Sequence, residues 1–191
     1  MIRAIIFYCF GVLTTDGWLP FKRKYFGDDP KLEAEASDRN KQVDAGLASY
    51  DDFMVAIADL AHVPLEESHK AIENNVADEI LLSYIATELK PHFKLGLLSN
   101  AGANWLDKLF RKDQINLFDA VALSYETGFV KPDPRAYQTI AERLGLMPEE
   151  CIFIDDQERY CTAAREVGMQ AIVYVSAKQL QTELTPLLTI E

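Results

Sequence analysis

Tyr125–Asp156 reads YETGFVKPDPRAYQTIAERLGLMPEECIFIDD, and the order of its parts decides the architecture. At its centre, Arg135–Leu144 sets Tyr137, Ile140, Ala141 and Leu144 at helical spacing, a stripe of apolar or small residues along one face. Asp133 suits the N-cap of that helix and Pro134 its first position. The stretch then closes on Cys151–Asp155, a continuous apolar run that ends in two carboxylates, Asp155 and Asp156. Continuous apolar runs mark strands covered on both faces. The others are Ala4–Cys9, Leu95–Ser99, Ala120–Leu123 and Ala171–Val175. Helical patterns separate the later ones, at Trp105–Phe110 and at Glu158–Val167, where Gly168 suits the stop. Such alternation predicts an α/β fold, a doubly wound parallel sheet with right-handed crossovers. Ligands on these sheets bind at the carboxyl ends of the strands.

Residues 15–89 have a different character, helix-rich and poor in β-branched runs. Asp29-Pro30 offers a cap followed by proline. Ser49-Tyr-Asp-Asp52 has the form of a capping box ahead of Phe53, Met54, Ile57, Ala58, Leu60 and Ala61. Val63-Pro64 opens another helix. Ala77–Leu89 closes the segment, with Ile80, Leu81, Tyr84, Ile85 and Leu89 as its apolar face. The expected organisation is a core of residues 1–14 and 90–191, with a small helical bundle, 15–89, inserted after the first strand.

The chain has 191 residues, 49% of them hydrophobic, enough for one core plus an insertion. Its net charge of −11 argues against nucleic acid or an anionic membrane as partner, and simple solubility explains it. No apolar run approaches the roughly 20 residues of a membrane span. Met1-Ile2-Arg3 leads straight into a strand pattern, so no signal peptide is expected. Cys9, Cys151 and Cys161 lie among apolar neighbours without metal-ligand spacing and read as reduced, buried thiols of a cytoplasmic protein. His62, His69 and His92 receive no role.

Three strand ends carry chemistry. Ser99 and Asn100, followed by Ala101-Gly102-Ala103, can cradle an oxyanion on a hydroxyl and free backbone N–H groups, or can form a plain helix cap. Lys131, framed by Pro132 and Pro134, can neutralise a phosphate and a carboxylate, or can be a surface lysine. Asp155 and Asp156 are costly as neighbours unless something positive joins them. Mg²⁺ suits them, and capping the next helix is the alternative.

IIFYCFGVL at the first strand, LLSN, VKPDP and IFIDD, in this order, resemble the motif set of the haloacid dehalogenase-like hydrolase superfamily, with a helical cap after the first motif. The resemblance covers essentially the whole chain. It implies a Rossmann-like core and a Mg²⁺-dependent hydrolase acting on a small phosphorylated molecule. In the family an aspartate ending the first strand attacks the substrate and ligates the metal, and a second acid two residues on protonates the leaving group. These positions hold Tyr8 and Phe10 here. The resemblance gives phosphate binding to Ser99, Asn100 and Lys131. It gives metal binding to Asp155, Asp156 and the main-chain carbonyl of Phe10. Tyr160 stands where relatives often carry an asparagine that supports the acidic pair.

A carboxylate with a pKa of about 4 is ionised at neutral pH, and a phenol with a pKa of about 10 is not. Tyr8 therefore removes both the attacking group and a charged metal ligand. The expectation is weak or absent phosphohydrolase activity with weakened Mg²⁺ affinity. An active Mg²⁺-dependent phosphatase and a non-catalytic module binding a phosphorylated metabolite are the alternatives. Dehalogenation needs the same carboxylate. Trp18, Phe21, Lys22, Arg23 and Lys24 are the expected ligand contacts from the cap, with a solvated helix face as the other reading of the three cations.

Overall fold

The computed structural model describes residues 1–188. Its sheet holds five strands, β1 (Ala4–Phe7), β2 (Lys94–Ser99), β3 (Ala120–Leu123), β4 (Cys151–Asp155) and β5 (Gln170–Val173). All pairings are parallel, in the order β3-β2-β1-β4-β5. β1 stops at Phe7 rather than Cys9, because the N–H groups of Leu13 and Thr14 turn back onto the Cys9 carbonyl at 2.8 and 3.0 Å. The strand order reverses its direction of growth at β1. That leaves a crevice above the carboxyl ends of β1 and β4, the usual ligand position on such a sheet. Tyr8 and Asp155 stand there.

The helices in chain order are α1 (Trp18–Phe26), α2 (Pro30–Asp44), α3 (Tyr50–Ala61), α4 (Leu65–Glu73), α5 (Glu79–Tyr84), α6 (Leu106–Leu109), α7 (Lys112–Ile115), α8 (Ser124–Thr127), α9 (Pro134–Leu144), α10 (Glu158–Glu166) and α11 (Ala177–Leu184). The helix expected over Trp105–Phe110 is a single turn, Leu106–Leu109. The caps fall where the sequence puts them. Asp29 accepts from the N–H groups of Lys31 and Leu32, Ser49 from that of Asp52, and Asp133 from that of Arg135.

Two apolar clusters divide the chain. Phe21, Phe26, Ala36, Val43, Phe53, Met54, Ile57 and Ile72 form the interior of a bundle built from α1–α4. Leu81, Leu82, Ile85 and Leu89 pack instead with the sheet strands and α9. Helical periodicity says which face of 77–89 is buried but not against what, and Ile80, expected on that face, is 76% exposed. The links between the two clusters run side by side. Thr15 N–H donates to the Val76 carbonyl at 2.9 Å and Asp78 N–H to the Leu13 carbonyl at 2.8 Å. Residues 81–89, expected within the inserted bundle, thus pack with the sheet cluster. The bundle closes onto the core at Gly102, where a Cβ would lie 2.7 Å from a Val43 methyl.

Candidate active site

Tyr8 follows β1 directly, and its N–H donates to the Ile154 carbonyl at 2.9 Å. Its ring turns towards the loop between α8 and α9, where Asn100 clamps Lys131. Asn100 Oδ1 accepts from the Lys131 N–H at 2.8 Å and Asn100 Nδ2 donates to the Lys131 carbonyl at 3.1 Å. The lysine side chain then runs inward. Its Nζ lies 3.5 Å from the Tyr8 ring centroid, 4.7 Å from that of Tyr160 and 5.1 Å from that of Phe153. It donates to Asp155 Oδ2, and both side chains of this ion pair are 0% exposed. Lys131 is thus a buried cation in an aromatic cage closed by one carboxylate. Burial depresses its pKa, and the Asp155 charge opposes that. Tyr8 and Tyr160, the two residues read from the sequence as departing from the resembled motif set, are two walls of the same cage.

The Tyr8 phenol is pushed well above its ordinary value, first by burial and then by the charges of Asp16, Asp155, Asp44 and Asp156. Lys131 sits over the face of its ring, held by the ring quadrupole. Phe10 packs edge-on against Tyr8 with centroids 6.4 Å apart.

Asp155 has both oxygens engaged, Oδ2 by Lys131 and Oδ1 by the Gln157 N–H at 2.9 Å, at the N-cap of α10. Asp156 differs. Its Oδ1 is buried without a hydrogen-bond partner. Its pKa is raised to about 6, chiefly by burial and then by the neighbouring Asp155 charge. Gly11 makes room for it. At φ +84°, a Cβ there would meet Asp156 Oδ2 at 2.8 Å. Asp156 Oδ1 is an acceptor that suits a cation, and the Phe10 carbonyl is the other donor expected of this site. Among the described residues, however, no three His, Cys, Asp or Glu side chains converge on one point. Asp155 is paired with Lys131, which leaves Asp156 Oδ1 and the Phe10 carbonyl as the oxygens that could hold Mg²⁺ together with water and phosphate.

The expected oxyanion cradle is also partly occupied. The Ser99 hydroxyl is buried and donates to the Asn100 carbonyl at 3.2 Å. The Ala101 N–H donates to Ser124 Oγ at 2.9 Å, and α6 begins only at Leu106. Asn100, Ala101 and Gly102 do reach a cleft of about 150 Å³ between the bundle and the sheet. Tyr8 and Phe10 form part of its floor. Its walls are Trp18, Tyr50, Phe53 and Trp105, with Asp16 and Asp44 at their base. Of the expected bundle contacts only Trp18 lines it. Phe21 is interior to the bundle, Lys22 is paired with Glu33 at 3.3 Å, and Arg23 and Lys24 face a separate outer depression. Arg23 and Lys24 thus lie on the outer, solvated side of α1, while Lys22 is part-buried against α2, where Ser37 also accepts from it.

Sequence reasoning missed Asp16 and Asp44. One signal was available for Asp44, because an acid at the last residue of a helix opposes the macrodipole and needs another reason to be there. Burial raises its pKa to about 7, with Asp16 adding to the shift while Asn40 and Lys131 oppose it. Burial also raises Asp16, whose Oδ1 accepts from the N–H groups of Trp18 and Leu19.

A five-stranded parallel sheet with motif residues at its carboxyl edge and helices between its first two strands defines a Rossmann-like α/β class. The profile of the haloacid dehalogenase-like hydrolases matches residues 2–168, and the chain belongs to that family. It is 48% identical over 56 residues to phosphatase MT3486 of Mycobacterium tuberculosis, covering 29% of this chain and 26% of the relative. It is 27% identical over 118 residues to the putative phosphatase YhcW of Bacillus subtilis, covering 60% and 53%. The matches thus span about a quarter to a half of these relatives' length. The fold superposes on the HAD family enzyme bt-2542 of Bacteroides thetaiotaomicron, in complex with magnesium and inorganic phosphate, with a TM-score of 0.75 at 23% identity, covering 97% of this chain and 100% of that one.

Proposed function

We propose that this chain is a haloacid dehalogenase-like hydrolase family member whose attack step has been lost, leaving weak or absent phosphohydrolase activity. The placement of Tyr8 over Lys131 carries this reading. The nucleophile position holds a neutral phenol among four carboxylates that disfavour its ionisation. A tyrosine nucleophile needs a base or a cation at its oxygen, and Lys131 lies over the ring face instead. The same ring covers the lysine that would neutralise a phosphate.

Mg²⁺ affinity in this reading is weak, resting on Asp156 and the Phe10 carbonyl. When bound, the ion would supply charge neutralisation for a phosphoryl group. The chain's own residues do less than in an active relative. Asn100 positions the Lys131 loop, Lys131 neutralises Asp155, and the inserted bundle acts as a cap that shelters the cleft. Any residual turnover would fall on a small phosphorylated molecule, the substrate class implied by relatives named as phosphatases.

Phosphate release from a panel of phosphomonoesters tests this. Wild type should give none above the Mg²⁺-free control, and Tyr8→Asp should give Mg²⁺-dependent release. Robust Mg²⁺-dependent release by wild type that disappears in Lys131→Ala would establish the active phosphatase instead.

A further inference from the structure

Aromatic side chains and carboxylates meet in the cleft. Four aromatic side chains, Trp18, Tyr50, Phe53 and Trp105, wall a space of about 150 Å³. A cavity of about this size accepts a benzene-sized body. Its base carries three side-chain acceptors without a partner. Asp44 uses Oδ2 for Asn40 Nδ2 at 2.8 Å, and its Oδ1 has no partner among the described residues. Asp16 uses Oδ1 for two backbone N–H groups and leaves Oδ2 without one. Asn75 spends its Nδ2 on the Ile72 carbonyl, and its Oδ1 is buried without a partner. Lys131, the buried cation below, is shut off by the Tyr8 ring. Lys108 at the rim stacks on Trp105, its Nζ 4.7 Å from the ring centroid. Acidic side chains alone do not define a ligand. Aromatic faces next to partnerless acceptors do, because an ammonium or guanidinium brings N–H donors for the acceptors and positive charge for the ring faces.

We propose that the cleft between the inserted bundle and the sheet binds a small organic cation, a protonated amine or guanidinium carried on a compact apolar or aromatic body. Asp16 and Asp44 take the charge, Asn75 takes a further N–H, and the Trp18–Phe53 and Tyr50–Trp105 edges hold the body. Binding at this end of the cleft does not depend on whether the attack step is lost. It concerns recognition rather than turnover, so the two readings fail separately.

The chain's two tryptophans, Trp18 and Trp105, both line the cleft, so intrinsic fluorescence reports occupancy directly. The probes are phenethylamine, its anionic counterpart 3-phenylpropionate, and inorganic phosphate, titrated into the full chain at about pH 8, where the Asp44 carboxyl, raised to about 7, is ionised. Phenethylamine should change the emission saturably, and the two anions should not. Asp44→Asn, which keeps the side-chain shape, should weaken phenethylamine binding about tenfold or more. Lys108→Gln, an exposed change that leaves the fold intact, should tighten it about two- to threefold by removing a like charge. Equal binding of 3-phenylpropionate, binding of phosphate without phenethylamine, no binding of any probe, or indifference to both substitutions would each overturn the proposal.

Discussion

Replacing Lys131 with methionine removes an ammonium whose side chain is 0% exposed and strands the equally buried Asp155 carboxylate. Asp155 would keep one hydrogen bond, from the Gln157 N–H. Breaking a buried ion pair from one side costs about 3–5 kcal/mol, because the remaining charge is uncompensated. Loss of the cation from its aromatic cage adds to this, by up to about 2 kcal/mol for a desolvated contact. Methionine fills much of the lysine volume and returns part of it. For a chain of this size 1 kcal/mol moves Tm by about 2–4 °C, so Lys131→Met should lower it by about 10 °C. Adding Asp155→Asn removes the stranded charge and should restore more than half of the loss, a coupling that a double-mutant cycle in urea measures. A loss below about 1 kcal/mol for the single variant, the size expected of a solvent-exposed pair, would refute the account of Lys131 as a sealed structural cation.

Two further outcomes follow from the same geometry. The Asp44 pKa is raised from 3.8 to about 7, so between those values the folded protein holds a proton that the unfolded chain has released. Its contribution is fully present below about pH 4 and is lost as pH rises through about 7. Asp44→Asn should therefore gain stability relative to wild type between pH 4 and 8, with a ceiling of about 4 kcal/mol, and match it at pH 4. Urea midpoints at the two pH values check this, and a constant difference would contradict it. Gly11→Ala should cost about 1–2 kcal/mol for the left-handed backbone alone, and more for the contact with Asp156, measured by the same denaturation.

The sheet was legible because its strands are buried on both faces and so appear as uninterrupted apolar runs ending at Ser99 and Asp155. The caps at Asp29, Ser49 and Asp133 were legible because capping is local. What lies between elements was not. Nothing in the spacing of Leu81, Leu82 and Ile85 says that they face the sheet rather than the bundle, and nothing in Arg23-Lys24 says that they face solvent. Tyr8 and Tyr160 each read as a missing polar group. Only their convergence on Lys131 shows that both changes serve one cage. Asp16 and Asp44 are distant in sequence, and the cleft that joins them exists only once the bundle has closed over Gly102.

Intact-mass spectrometry after incubation with Mg²⁺ and acetyl phosphate tests the proposed loss of the attack step most directly. Wild type should acquire no phosphoryl adduct, and Tyr8→Asp should acquire one that maps to residue 8. A phosphoryl group found on Tyr8 of the wild-type chain would contradict the account.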